Sequence, residues 1–362
     1  MKPTQKLHQA GQSLWLDNIT RDLLGDGTLR SYIDDLGITG LTSNPTIFDH
    51  AFRNSGSYDA AIRAGAEEGL PPEEIFFRLA IEDLQGAADH FRPIWDRTNG
   101  VDGWVSLEVS PRLARDPGST LAAAKDLAAR AGRPNLFIKI PGTPEGLAAI
   151  EEAIFAGVPV NVTLLFSREQ YLAAADAYMR GVERRVAAGL DPAVGSVASV
   201  FVSRWDTAPE SRDAPDDLRN TLGIAQAKLT YRAYRELQDS PRWGRLANEG
   251  ARPQRLLWAS TGTKDPGASD VLYVRALAAP FTVNTMPEKT LLAFGDHGEV
   301  TDFLPADGAG GQEVADRFAA AGADLDGLAT RLQSEGADAF VASWDELLGT
   351  IEERSAALAG RR

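Results

Sequence analysis

The sequence predicts an α/β fold, a (β/α)8 TIM barrel with additional helices and a helical C-terminal tail. Three observations carry that expectation. Short β-like runs recur at about eight places along the chain, patterned Ala/Leu/Glu/Arg segments separate them, and polar residues collect toward the ends of the runs. Strands alternating with helices imply parallel βαβ units, and eight such strands are what a closed parallel barrel requires. A doubly wound sheet is the alternative, but neither a Gly-x-Gly-x-x-Gly nor a Walker A motif supports it.

Taken in order, the strand-like runs are Ser13–Asp17, Ile38–Ser43, Gly103–Val109, Leu136–Pro141, Val158–Phe166, Val197–Ser203, Gln254–Ser260 and Phe281–Met286. Helical patterning is clear over Ser119–Ala131, Arg168–Ala188 and Thr221–Gln238. The stretch from Pro45 to Asn99 is too long for one crossover and is expected to hold several helices. A second helical insertion is expected within Arg204–Trp243. From Asp302 onward, a Gly-rich linker, Asp307-Gly308-Ala309-Gly310-Gly311, precedes helical patterns that run through Glu353. The resulting division is a barrel domain over 1–300, insertions included, and a helical extension over 301–362 packed on the barrel.

Composition narrows the function. The chain has 362 residues, 43% of them hydrophobic, enough for a large core. Its net charge of −14 argues against sequence-independent nucleic-acid binding, which needs a basic footprint. A few local cations could still dominate a pocket for an anionic substrate. Cysteine is absent, which removes disulfides, thiolate catalysis and sulfur-ligated metals. No apolar stretch reaches membrane-spanning length and the first residues carry no signal-peptide pattern, so a cytoplasmic protein without membrane association is expected.

The most informative residue is Lys139, set in Leu136-Phe137-Ile138-Lys139-Ile140-Pro141. An unpaired ammonium is costly to bury, burial favours the neutral amine, and a neutral amine suits Schiff-base chemistry. The bland alternative is a lysine that snorkels from the strand end to water. A barrel should gather its chemistry at the C-terminal ends of its strands, and the polar residues fall there: Asp17, Thr42-Ser43-Asn44, Glu108, Lys139, Asn161 with Thr163, Ser199 through Arg204, Ser260, and Asn284 with Thr285. Alternation puts Asn161 and Thr163 on one face, and Trp258 and Ser260 on one face. Each residue also has an ordinary structural reading. Asp17 could cap a helix, Asn44 before Pro45 could mark a turn, Glu108 could simply pair with Lys139, and Thr163 is a good strand former.

Several motifs together resemble transaldolase. They are Leu14-Trp15-Leu16-Asp17, Gly40 through Phe48 (GLTSNPTIF), Val105 through Val109 (VSLEV), Ile138 through Thr143 (IKIPGT), Asn161 through Ser167 (NVTLLFS), Ser199 through Arg204 (SVFVSR), Trp258 through Lys264 (WASTGTK) and Thr282 through Pro287 (TVNTMP). The resemblance runs from about Lys6 to Gly298 in family order and is similar to the longer bacterial subgroup. Some relatives carry a fused sugar-phosphate isomerase domain, which this chain is expected to lack.

The resemblance implies transfer of a dihydroxyacetone unit from sedoheptulose 7-phosphate or fructose 6-phosphate to glyceraldehyde 3-phosphate or erythrose 4-phosphate, in the non-oxidative pentose phosphate branch. It implies that Lys139 forms the Schiff base, that Glu108 moves protons through a water held with Thr163, and that Asp17 exchanges the proton of the donor C4 hydroxyl. Asn44 and Asn161 resemble the amides that bind the retained three-carbon unit. Ser199 and Phe201 match pocket-lining positions, and Arg204, Ser260 and Lys264 fall where the family binds phosphate. Many relatives have Arg where Lys264 stands, and a lysine acts more as a point charge than as a bidentate grip. The iminium accepts the electrons of carbon–carbon cleavage, so no cofactor or metal is expected. The expected partners are sugar-phosphate substrates, with the chain a monomer or a homodimer.

Two other readings compete. Fructose 6-phosphate aldolase, which releases free dihydroxyacetone, resembles transaldolase but lacks the glutamate that Glu108 matches. A non-catalytic sugar-phosphate binder would have no need of Asp17, Glu108, Lys139 and Thr163 together. A metal-dependent aldolase finds no support in the scattered His8, His50, His90 and His297, and His297 is read as structural.

Overall fold

In the computed structural model, which describes residues 1–212 and 214–359, eight parallel strands close into a barrel. They are β1 Ser13–Asp17, β2 Gly40–Thr42, β3 Val105–Glu108, β4 Leu136–Pro141, β5 Val160–Leu165, β6 Ser196–Phe201, β7 Gln254–Ala259 and β8 Val283–Met286. Each strand pairs with its neighbour in sequence, and β8 pairs with β1 to close the ring. The expected fold class is therefore the one observed. All eight expected runs contain a strand, although several strands are shorter than their runs. Val197–Ser203, for example, stops at Phe201, and Ser203 opens a short helix, Ser203–Thr207, that carries Arg204.

Side-chain alternation turns this register into a pocket. Every second residue of a strand faces the same side, so the column holding Trp15 also holds Asp17, and the column holding Phe137 also holds Lys139. In the lower half of the interior, Trp15, Phe137, Val197, Leu257 and Val283 belong to one buried apolar cluster. Trp104 stacks on Phe137 with ring centroids 4.0 Å apart. Two residues further along the same columns come Asp17, Lys139, Ser199, Ala259 and Thr285, all at one cleft. The barrel is thus filled and apolar below and polar at its C-terminal mouth.

The other end of the barrel is sealed by a satisfied buried network. Asp102 accepts hydrogen bonds from Ser13 Oγ, from Trp15 Nε1 at 2.9 Å and from the Gly103 N–H at 3.0 Å. Arg255 donates to Ser13 Oγ at 2.7 Å. A buried carboxylate is tolerable in this setting because its lone pairs are used.

The long first insertion holds three helices, Pro45–Asn54, Asp59–Glu67 and Pro72–Arg97. Among the described residues the second holds three short helical segments, Ser203–Thr207, Pro209–Arg212 and Asp216–Leu218, and then Leu222–Gln238 and Pro241–Asn248. The tail forms Gly311–Ala320 and a 35-residue helix, Leu325–Ala359. That last helix buries Gln333, Gly336, Phe340, Trp344, Leu347 and Ile351, a three-to-four-residue spacing that puts them on one face. Trp344 packs edge-on against Phe76, 4.9 Å between centroids, and Thr350 donates to Asp49 at 2.5 Å. No described helix is long and apolar enough to cross a membrane.

Candidate active site

The cleft at the C-terminal mouth has a volume of about 280 Å³. Asp17, Asn44, Lys139, Asn161, Thr163, Ser199, Phe201, Arg204, Ser260 and Lys264 all line it. Glu108 stands behind Lys139 and touches it directly. Residues drawn from seven different strands or the loops after them therefore converge, as the C-terminal ends of barrel strands allow.

Lys139 is 6% exposed and its ammonium is held from two sides. Nζ lies 3.0 Å from Glu108 Oε2 and donates at 3.0 Å to the Ser43 carbonyl. The strand register enforces the first contact, since Glu108 and Lys139 are paired residues of β3 and β4. Lys139 in turn pairs with Asn161 of β5. The snorkelling alternative is thereby excluded: the head group is buried, not delivered to bulk water. Glu108 is itself 4% exposed. Burial pushes its carboxyl above the ordinary glutamate range, Lys139 opposes the shift, and the nearby Asp17 adds to it.

Asp17 sits across the mouth. Thr42 Oγ1 bonds to its Oδ1 at 2.7 Å and lies 2.6 Å from Thr285 Oγ1. Burial raises the Asp17 carboxyl above its usual range, against the Thr42 hydrogen bond and the charges of Lys139 and Lys264. Asp17 does not cap the next helix; Thr20 does, accepting from the Leu23 N–H. Asn44, by contrast, does cap Pro45–Asn54 through Oδ1, which accepts from the Ile47 N–H at 3.1 Å. Its amide nitrogen is what remains to face the cleft. Asn161 donates to Ser106 Oγ at 3.1 Å and accepts from Ser199 Oγ at 2.7 Å, which fixes the orientation of its amide.

Two buried oxygens here have no hydrogen-bond partner among the described residues: Glu108 Oε1 and Thr163 Oγ1. Unpaired buried polar atoms are costly, so two of them at the end of the barrel that holds Lys139 are an unfavourable feature for stability alone. The cations at the far side are also unpaired. Among the described residues neither Arg204 nor Lys264 makes an ion pair. The Arg204 guanidinium instead lies 5.4 Å from the Phe201 ring centroid and 6.0 Å from that of Phe340. Burial lowers its pKa.

Trp258 does not share the cleft with Ser260, as simple alternation implied. Trp258 faces outward to Tyr231, 6.5 Å between ring centroids, and Leu257 and Ala259 form the inward column of β7. Ser260 reaches the cleft because its backbone turns into the left-handed region at φ 56°, where Ser203 Oγ meets Ser260 Oγ at 2.8 Å. Asn284 likewise faces away, held by Thr261 Oγ1 at 2.9 Å, and its neighbour Thr285 lines the mouth.

The family described as Transaldolase/Fructose-6-phosphate aldolase matches residues 14–351. The chain belongs to that family. It is 47% identical to a transaldolase of Saccharopolyspora erythraea over 356 residues, 97% of each chain. It is 46% identical to a transaldolase of Thermobifida fusca, covering 98% of this chain and 99% of that one. A transaldolase 2 of Nostoc punctiforme is 41% identical, with 96% of each chain covered.

Sequence reasoning missed several residues that this family member brings to the mouth. Phe340, from the C-terminal helix, lines the cleft with its ring centroid 5.8 Å from Lys139 Nζ. Gln333, on the same helix, reaches the ends of β4 and β5. Only the helical spacing of buried residues hinted at that face, and spacing does not say what the face covers. Ser106, two residues before Glu108 on β3, was legible as an inward polar position by the same alternation that identified Asn161 and Thr163. His297 lies outside the cleft, paired on the surface with Asp270 at 2.9 Å.

Proposed function

We propose that the cleft performs transaldolase chemistry through a Schiff base on Lys139. The observation that carries this reading is the buried amine at the mouth of the barrel, 3.0 Å from a buried carboxylate whose second oxygen has no partner among the described residues. Lys139 gives a proton to Glu108 and attacks the donor ketone. The carbinolamine loses water with Glu108 returning the proton, and a water bridging Glu108 Oε1 and Thr163 Oγ1 relays it. Asp17 takes the proton from the C4 hydroxyl as the C3–C4 bond breaks, and the electron pair passes to the iminium. Aldol addition to the acceptor aldehyde reverses these steps, and hydrolysis of the new iminium frees the product.

Asn44 and Asn161 bind the hydroxyls of the retained three-carbon unit, with Ser199 and Phe201 shaping the wall around it. Arg204, Ser260 and Lys264 hold the phosphate, a role favoured by the lack of ion-pair partners for Arg204 and Lys264 among the described residues. The substrates on this reading are sedoheptulose 7-phosphate or fructose 6-phosphate as donor and glyceraldehyde 3-phosphate or erythrose 4-phosphate as acceptor. The setting is the cytoplasmic non-oxidative pentose phosphate branch. Glu108 favours transfer over simple release of dihydroxyacetone.

The test is borohydride reduction after incubation with fructose 6-phosphate, read by intact mass and peptide mapping. A reduced three-carbon adduct on Lys139 is expected. A folded protein that forms no adduct, or forms one on another lysine, overturns the mechanism. Free dihydroxyacetone accumulating as fast with acceptor present as without it would favour the aldolase reaction instead.

A further inference from the structure

We propose that Gln333, on the C-terminal helix, is a positioning residue that sets Thr163 against Lys139 by clamping a strained bulge at the end of β5. The inference rests on the reading of Thr163 given above. Leu164, directly after Thr163, has φ 60°, a left-handed conformation that a bulky side chain rarely adopts. At the same point the pairing of β5 with β6 slips in register between Val162 and Leu165. A bulge of this kind re-aims a side chain at a strand end, and here it lies next to the hydroxyl that faces the cleft.

Such a conformation persists only where the surroundings over-determine it, and the C-terminal helix supplies the determinant. The Gln333 side chain is buried, and its Nε2 donates to two carbonyls at once, Leu164 at 2.9 Å and Gly142 at 3.0 Å. Gly142 follows the end of β4, three residues after Lys139, and its own N–H donates to the Thr163 carbonyl at 2.7 Å. One amide nitrogen therefore ties the strand that carries the amine to the strand that carries the hydroxyl. One turn along the helix, Gly336 lets the backbone approach closely; a Cβ there would sit 3.0 Å from Leu164 Cδ2 and 3.1 Å from Arg204 Nη1. Two turns along, Phe340 closes over Lys139. The helix face is fitted to this mouth, and Gln333 is its polar contact with the two strand ends.

Gln333→Met keeps the length of the side chain and removes both donors. Misplacing a proton-relay group by a fraction of an ångström to an ångström costs about ten- to a hundredfold in rate. The expected result is a fall in kcat of that size for the transfer reaction, with the donor KM within about threefold of wild type. Borohydride trapping at saturating fructose 6-phosphate should slow by the same factor.

The double variant with Thr163→Ala separates positioning from general support. If Gln333 acts through Thr163, adding Gln333→Met to Thr163→Ala lowers kcat little further. Fully multiplicative losses, or a wild-type kcat in folded Gln333→Met, overturn the inference. A Thr163→Ala variant with unchanged kcat instead overturns the reading of Thr163 itself. Should Gln333→Met fail to fold, Gln333→Asn, one methylene too short for both carbonyls, takes its place with the same expectations.

Discussion

Replacing Lys139 by Met removes the proposed nucleophile and leaves Glu108 buried without its counter-charge. No adduct and no turnover are expected, but the consequence for stability is the sharper test because its sign depends on pH. Glu108 is 4% exposed and Lys139 is its only charged hydrogen-bond partner among the described residues. Removing one member of a buried pair costs about 3–5 kcal/mol while the other remains charged. For 362 residues the unfolding entropy is on the order of 0.76 kcal/mol/K. The cost therefore corresponds to a Tm lowered by about 4–7 °C at alkaline pH.

Burial already holds Glu108 above the ordinary range with Lys139 opposing it, so deleting Lys139 raises its pKa further. The folded variant then binds a proton that the unfolded chain releases above pH ~4.3, and its stability falls as pH rises. The deficit against wild type should be smallest near pH 5 and grow toward pH 8. Adding Glu108→Gln removes the charge and should recover most of the loss at pH 8. Thermal unfolding of wild type, Lys139→Met and the double variant at several pH values measures this. Turnover by Lys139→Met overturns the chemistry. A deficit that ignores both pH and the second substitution overturns the account of the pair.

Glu108→Gln alone should slow Schiff-base trapping far more than it weakens sugar-phosphate binding, and equal losses in both would remove the proton-relay role. Arg204→Ala should raise the KM for phosphorylated donors roughly 10- to 150-fold, the loss of about 1.5–3 kcal/mol for hydrogen bonds to a charged group, while unphosphorylated donors are little affected; an unchanged KM moves the phosphate elsewhere. Asp206, buried and held by Tyr273 at 2.9 Å, has its carboxyl pushed up to about 6. The pH-dependent cost of burying it is therefore absent below pH ~4 and reaches about 3 kcal/mol above pH ~6, so wild type should lose Tm relative to Asp206→Asn across that window; parallel curves would refute it. Gly40→Ala should be strongly destabilising, because its Cβ would lie 2.5 Å from the Trp104 carbonyl oxygen and 2.8 Å from Trp15 Nε1; a wild-type Tm would contradict that packing.

The barrel was legible because each strand is a short apolar run bounded by helical patterning, and because Lys139, Asp17 and Glu108 interrupt apolar context at strand ends. Alternation alone brought Asn161 and Thr163 to the mouth. It failed where the backbone departs from regular strand: Ser260 at φ 56° reaches the cleft from a strand whose inward column is Leu257 and Ala259, not Trp258. It also gave no sign of the Leu164 bulge, since nothing in Asn161-Val162-Thr163-Leu164-Leu165 distinguishes a left-handed leucine from an extended one. The tail illustrates a different limit. Buried positions at 336, 340, 344 and 347 describe an apolar stripe, but Trp344 meets Phe76 while Phe340 meets Lys139 and Arg204. Which part of a stripe covers a core and which covers a cleft is decided by tertiary placement, more than 100 residues away in sequence.

The overall charge of −14 opposes an anionic substrate, yet it need not govern binding. Exposed charges are screened over about 8 Å at physiological ionic strength, whereas groups within a narrow cleft are screened far less. Inside the mouth, Glu108 is engaged by Lys139, and Arg204 and Lys264 have no ion-pair partner among the described residues. With burial favouring protonation of Asp17 and lowering the pKa of Arg204, both shifts reflect the cost of holding unneutralised charge there. On the proposed reading, a bound phosphate supplies the missing counter-charge for Arg204 and Lys264. Substrate binding would then lower the electrostatic cost of the empty mouth, and the acidic exterior would act on solubility and encounter rather than on the grip.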